Sequence, residues 1–324
     1  MELLIYLILF LLVLIVSSTT NKPLPFLPLP LVQILLGIVI GLFLPNTDFH
    51  LNTELFLALV IGPLLFRESE EADITAILKH WRIIVYLIFP VIFISTLSLG
   101  GLAHLLWFSL PLAACLAVGA ALGPTDLVAF ASLSERFSFP KRVSNILKGE
   151  GLLNDASGLV AFQVALTAWT TGAFSLGQAS SSLIFSILGG FLIGFLTAMT
   201  NRFLHSFLLS VRATDIASEL LLELSLPLVT FFLAEEVHVS GIIAVVVAGI
   251  LKASRFKKIT LLEAQVDTVT ETVWHTVNFM LNGSVFVILG MELEMIAEPI
   301  LTNPIYNPLL LLVSLIAVSY THLT

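Results

Sequence analysis

The sequence predicts an all-α polytopic membrane protein of about eleven transmembrane helices, and three observations carry that reading. Of the 324 residues, 58% are hydrophobic and 11% charged, where soluble domains are about half apolar and about a quarter charged. Apolar segments close to the length of about 20 residues that crosses a bilayer recur from one end to the other. All 14 Lys and Arg fall in or beside alternate gaps between those segments.

In chain order the spans lie near 2–17, 25–44, 53–66, 82–106, 110–133, 147–171, 180–204, 213–235, 238–251, 265–290 and 305–320. The first, MELLIYLILFLLVLIV, has no Lys or Arg in its leading region and no clear small-residue cleavage site, so it reads as a retained helix rather than a signal peptide. The third and ninth are short and interrupted by polar or Gly/Pro residues, which predicts steep or irregular helices. The fifth is interrupted by GPTD, the sixth opens on GEGLLND, the eighth carries Glu219 and Glu223 one turn apart, and the last ends in SYTHLT. No soluble domain follows any of them, so residues 1–324 read as a single membrane domain.

The basic residues test the count of spans independently, because Lys and Arg accumulate in cytoplasmic loops. Lys22 follows the first span, and Arg67, Lys79 and Arg82 lie between the third and fourth. Arg136, Lys141, Arg142 and Lys148 border the connection from five to six, Arg202 and Arg212 that from seven to eight, and Lys252, Arg255, Lys257 and Lys258 follow span nine. A miscounted span would reverse this alternation partway along the chain. The N-terminus is therefore expected outside a cell membrane and these five loops inside.

Several function classes are excluded. The net charge of −8 is spread over loops and helices, and no basic tract exists that would bind nucleic acid. Cys115 is the only cysteine, so neither an intramolecular disulfide nor a thiolate metal cluster is available, and within its apolar segment it reads as a small packing residue. His104, His238 and His275 stand on different spans without metal-ligand spacing and read as interfacial.

Asp126, Glu150, Asp155, Glu219 and Glu223 fall within or just inside spans. A charged side chain at a helix centre costs roughly 3 kcal/mol on insertion scales, so such acids face a polar cavity or a partner. Span five runs inward, with Asp126 ten residues before Arg136; span six runs outward, with Asp155 seven residues after Lys148. At about 1.5 Å per residue the two acids reach similar depth on adjacent helices. They are expected to form one site.

The stretch AALGPTDLVAF adds the second ingredient of that site. Pro124 removes an amide donor, clashes with a regular helix and biases Gly123 away from helical angles, so a break is expected just before Thr125 and Asp126. Unwound backbone at membrane depth is tolerated where protein or water satisfies it, and in transporters its free carbonyls and helix ends bind ions. Asp155 can alternate between neutral acid, favoured by an apolar setting, and carboxylate, favoured by a bound cation. Proton and cation then compete for one group, and a carrier that crosses only when loaded exchanges one for the other. Asn154 beside it offers a neutral amide that can hold Asp126 or a helix end, or make an ordinary polar contact.

These residues carry a resemblance. TD in span five, GEGLLND opening span six and WHTVNFMLNGSVFVILG in span ten look like the sodium/proton exchangers of the monovalent cation:proton antiporter-1 family, the NhaP-like exchangers, over essentially the whole chain. The resemblance implies an inverted-repeat fold with a mobile core domain and a dimerisation domain, hence a homodimer in the plasma membrane. On that pattern the first repeat covers about 1–171, a linking helix about 180–204 and an incomplete second repeat about 213–320. It implies exchange of sodium or lithium, with potassium not separated from them, for protons. It further implies that Asp155 binds ion and proton, that Thr125 gives a further oxygen to the monovalent metal ion, and that Asp126 and Asn154 order the broken helices. An Asn-Asp pair, rather than Asp-Asp, implies electroneutral one-for-one exchange. No cofactor and no catalytic residue in the enzymatic sense is implied.

Two features depart from the family pattern. Gly151 stands where family members commonly have Ser after the Glu, so one hydroxyl ligand is missing, with water or Ser157 as its replacement. The pattern of thirteen helices also ends here at the eleventh, which reads as a truncated antiporter lacking its second broken helix and the late Arg that would pair with Glu150.

Weaker candidates are Glu68, in the run RESEEAD that reads first as a solvated acidic face, and Glu219 with Glu223, which suit a cytoplasmic funnel or an interfacial position. Two other functions were open to the same acids. A passive cation channel is separated from an exchanger by uphill transport. An intramembrane aspartyl protease would pair its acids in YD and GxGD, and none of Tyr6, Tyr86, Tyr306 and Tyr320 precedes an acid.

Overall fold

The computed structural model describes residues 2–21, 29–43, 52–72, 74–106, 110–124, 140–171, 176–211, 215–253 and 261–302. Every regular element among these is helical, in the order α1 (Glu2–Asn21), α2 (Leu29–Phe43), α3 (Thr53–Phe56), a π-helical turn (Leu57–Ile61), α4 (Gly62–Glu71), α5 (Ile74–Leu106), α6 (Leu112–Leu122), α7 (Lys141–Thr171), α8 (Leu176–Ser210), α9 (Ile216–Glu236), α10 (Gly241–Ala253) and α11 (Leu261–Thr302). The first ten expected spans fall on these elements; the eleventh, 305–320, lies outside the described residues.

Several helices outrun the apolar stretches that announced them. α5 begins at Ile74 rather than 82, and α11 covers Leu261–Thr302 rather than 265–290. Hydropathy marks where a bilayer would lie, whereas the backbone stays hydrogen-bonded into the interface beyond it. Among the described residues, Ile184–Ser210, Ile216–Glu236 and Thr268–Leu293 are long and apolar enough to cross a membrane by themselves. Large apolar side chains such as Phe185, Phe203 and Leu221 are exposed, as in a protein solvated by lipid.

The irregular third span has a local cause. Asn52 caps α3 by accepting from the amides of Glu54 and Leu55 at 2.9 and 3.2 Å. The chain then widens into the π turn, closed by the Gly62 amide bonding to the Leu57 carbonyl five residues back. Pro63 follows at once and cannot donate to the ladder, so the helix passes a missing donor by changing its hydrogen-bond step.

Contacts divide the chain into two compact units, residues 1–64 with 267–324 and residues 65–266. In the first unit, α2 and α11 run parallel at near backbone contact. A methyl group on Gly37 would come 2.3 Å from the Val287 carbonyl oxygen, and one on Gly290 would come 2.2 Å from that of Ile34. Lipid tails give apolar helices no hydrophobic reason to associate, so small residues and interhelical polar contacts do that work. The buried Gln33 supplies such a contact, its amide donating to Ser17 Oγ of α1 at 3.5 Å beside Gly283.

In the second unit, α8 and α10 are parallel, with Gly190 against Ser240 and Gly194 against Ala244. α5 and α6 are antiparallel, Gly100 packing on Leu116 and Gly119 on the Thr96 carbonyl. α8 and α9 are also antiparallel, and the buried Thr230 hydroxyl donates to Thr197 Oγ1 at 3.0 Å between them. In each of these pairs, helices an even number of spans apart run the same way and adjacent spans run oppositely, as a chain crossing a membrane at every span requires. Cys115 is buried on α6 where Gly100 approaches its carbonyl.

Candidate ion site

The site begins where α6 stops. The helix ends at Leu122, and Gly123 and Pro124 carry a bend. Gly123 nevertheless keeps right-handed helical angles, φ −73° and ψ −38°, against the expected bias of a residue before proline. Part of that bias is a clash of the proline ring with the preceding Cβ, and Gly123 has none. Thr125 and Asp126 lie outside the described residues.

α7 supplies the other wall. It is continuous helix from Lys141, so Glu150, Gly151, Asn154, Asp155 and Ser157 all stand on one rod. Glu150 and Gly151 are buried and Ser157 is half-buried; the side chains of Asn154 and Asp155 lie outside the described set. Positions 151, 155 and 158 follow the four-then-three spacing of a single helix face. On that face the buried Gly158 receives the end of α6: a methyl group there would lie 2.2 Å from Pro124 Cγ, 3.1 Å from Cδ and 3.5 Å from the Ala120 carbonyl oxygen. The interrupted helix therefore touches α7 one turn beyond Asp155.

The weaker candidates belong to a second cluster within residues 65–266. Lys252 Nζ, at the end of α10, lies 2.8 Å from Glu223 Oε1 of α9 and 3.2 Å from Glu70 Oε1 of α4, and 5.5 Å from the centre of the buried Phe66 ring. Arg67 holds the other oxygen of Glu70 at 3.0 Å and reaches Glu71 at 2.6 Å. His205 Nε2 of α8 lies 3.2 Å from Glu219 Oε2. These charged side chains are 12–20% exposed, apart from the outer Glu71 at 58%.

The acidic run at 68–71 is thus not a solvated face throughout: Glu68 is half-buried, Ser69 is buried, and Glu70 is locked between two cations. The reason is the close approach of α10, where Gly249 lets Phe66 and Ser69 against its backbone and brings Lys252 to the acids. Glu219 and Glu223 are likewise committed to partners on two different helices. Sequence reading overlooked His205 and Lys252 in these roles; the one available signal was a polar residue of opposite charge near the end of each flanking apolar span. Of the three histidines singled out, His104 Nδ1 lies 3.0 Å from the Leu110 carbonyl oxygen at the α5–α6 turn, and His238 and His275 are exposed.

The profile of a family described as "Sodium/hydrogen exchanger, transmembrane" matches residues 7–323. The chain belongs to this exchanger family. A Bacillus subtilis protein named "Sodium, potassium, lithium and rubidium/H(+) antiporter" is 35% identical over 321 residues, 99% of the chain and 48% of that protein. An Escherichia coli protein named "Uncharacterized Na(+)/H(+) exchanger YjcE" is 32% identical over 306 residues, 92% of the chain and 54% of that protein. The chain spans about half the length of these curated relatives. Its fold is that of the solved sodium proton antiporter MjNhaP1 from Methanocaldococcus jannaschii, with a TM-score of 0.69 and 20% identity over 90% of this chain and 71% of that one. This member of the family is a multi-pass membrane protein, and its described residues have an all-helical antiporter fold.

Proposed function

We propose that the protein exchanges a monovalent cation, sodium or lithium with potassium also admitted, for a proton at Asp155. The observation that carries this reading is the seating of Pro124 on Gly158, which brings an interrupted helix to within one turn of an intramembrane acid. Asp155 alternates between carboxylate with bound cation and neutral acid. Thr125 contributes an oxygen to the cation, while Asp126 and Asn154 hold the two helices in register. Family membership and the names of the relatives favour cation/proton exchange over a channel or a protease.

On this reading the two forms that cross the membrane, cation-loaded and protonated, carry the same net charge, so exchange is electroneutral. Alternating access moves a core domain against a dimerisation domain, the two formed by inverted repeats near 1–171 and, incomplete, 213–320 joined through 180–204, and two copies form a homodimer in the plasma membrane. The positions of the basic residues favour an outside N-terminus. Where a hydroxyl ligand is absent at the buried Gly151, water or the half-buried Ser157 on the same helix takes its place.

The test is uphill movement. In proteoliposomes with equal sodium on both sides, an imposed proton gradient should drive sodium accumulation against its own gradient. Sodium that only relaxes toward equilibrium would mean a channel.

A further inference from the structure

Pro124 has no amide to give. In a regular helix the amide of residue 124 would bond to the Ala120 carbonyl four residues back, and Gly123 keeps the helical angles that would aim it there. Ala120 is fully buried, and its carbonyl oxygen lies 3.5 Å from where a methyl group on Gly158 of α7 would stand. A buried carbonyl left without a donor costs about 1–3 kcal/mol, and in folded proteins such groups are served by another residue or by an ordered water. α5 packs against the same turn of α6: Gly119 lies on the Thr96 carbonyl, and a methyl group on Gly123 would come 3.7 Å from Ser95 Cβ. Thr96 Oγ1 is enclosed, with no hydrogen-bond partner among the described residues. Thr167, Thr197 and Thr272 donate to the carbonyl four residues earlier on their own helices, at 2.8, 3.0 and 2.9 Å. Thr96 makes no such bond. A donor without an acceptor therefore stands beside the turn that holds an acceptor without a donor.

From this juxtaposition we infer that Thr96 is a positioning residue for the end of α6: its hydroxyl serves the Ala120 carbonyl, directly or through one bridging water, in place of the amide that Pro124 lacks. The interrupted end is then held from two sides, by the Thr96 hydroxyl on α5 and by the contact of Pro124 with Gly158 on α7. Thr125 and Asp126, next in the chain, leave from that anchored point. Thr96 acts through backbone and does not touch the cation, so its loss shifts the geometry of the site without removing a ligand. The hydrogen bond stands or falls by itself; only its effect on transport rests on the reading of Asp155 as the exchange site.

Thermal unfolding of the purified full chain across a double-mutant cycle tests it. Thr96→Val keeps the shape and loses the hydroxyl, while Pro124→Ala gives residue 124 an amide for the Ala120 carbonyl. In the wild-type background Thr96→Val should lower the Tm by about 2–4 °C. In the Pro124→Ala background it should leave the Tm unchanged or raise it, because the carbonyl then has its own amide. An idle hydroxyl would make Val neutral or stabilising in both backgrounds, and a packing role would make it equally harmful in both; either result would overturn the assignment. Where Pro124→Ala fails to fold, the wild-type background decides: a Thr96→Val protein that unfolds at or above the wild-type temperature overturns it. In proteoliposomes Thr96→Val should raise the KM for sodium about three- to tenfold with turnover within about twofold of wild type, and Thr96→Ser should restore the wild-type KM. An unchanged KM in Thr96→Val beside an inactive Asp155→Asn would overturn the positioning role, whereas normal exchange by Asp155→Asn would remove the exchange site and leave the unfolding cycle to decide the hydrogen bond.

Discussion

Pro124 and Gly158 are packed so tightly that no side chain fits between them: a single methyl group on Gly158 would overlap Pro124 Cγ at 2.2 Å. The contact joins the end of α6 to the face of α7 that carries Asp155, so it sets the geometry of the proposed ion site from outside the site itself.

Gly158→Ala should therefore lower the melting temperature by the equivalent of about 1–3 kcal/mol, since a proline ring cannot rotate out of the way, and should reduce cation-driven proton movement. Pro124→Ala in the same background removes the ring atoms and should restore part of the stability without restoring transport. A Gly158→Ala protein as stable and active as wild type would show that the two helices do not meet there.

The end of α6 was legible in the sequence because Pro124 withholds an amide and follows a glycine, although proline alone does not decide the matter, since α9 runs through Pro227. The first ten spans were legible for a similar reason, since lipid imposes a length on apolar segments. His205 and Lys252 were not, because each matters through a partner on another helix, and hydropathy gives a helix its depth without saying which neighbour its faces meet. The run at Glu68 to Glu71 misled for the same reason: consecutive acids look solvated until α10 is seen to bring Lys252 to Glu70.

Lys252→Met should leave Glu70 and Glu223 turned toward each other without their shared cation, at a cost of about 1–3 kcal/mol at these largely buried positions. The triple variant with Glu70→Gln and Glu223→Gln should recover most of that loss in a thermal unfolding assay. An additive, unrecovered loss would mean that Lys252 acts through packing on Phe66 rather than through charge.

Topology is open to labelling from either side of the membrane. In a Cys115→Ala background, single cysteines at Asn46 and Lys257 should react with an impermeant maleimide from opposite faces, the first from outside. Reaction of both from the outside would break the alternation on which the orientation rests.

On the proposed assignment, Asn154 takes the place of the second titratable acid that would make exchange electrogenic. Exchange by this protein should leave its equilibrium position unchanged when a valinomycin-clamped potassium diffusion potential is applied. Movement of one net charge per cycle would instead be driven by about 2.3 kcal/mol per 100 mV. A strong shift with potential would refute one-for-one stoichiometry.

The most direct test of the central claim is Asp155→Asn, which preserves shape and removes the group that must bind proton and cation in turn. In proteoliposomes, the purified variant should fold and insert with wild-type yield and melting behaviour, yet show no sodium- or lithium-driven proton movement. Normal exchange by well-folded Asp155→Asn protein would contradict the account.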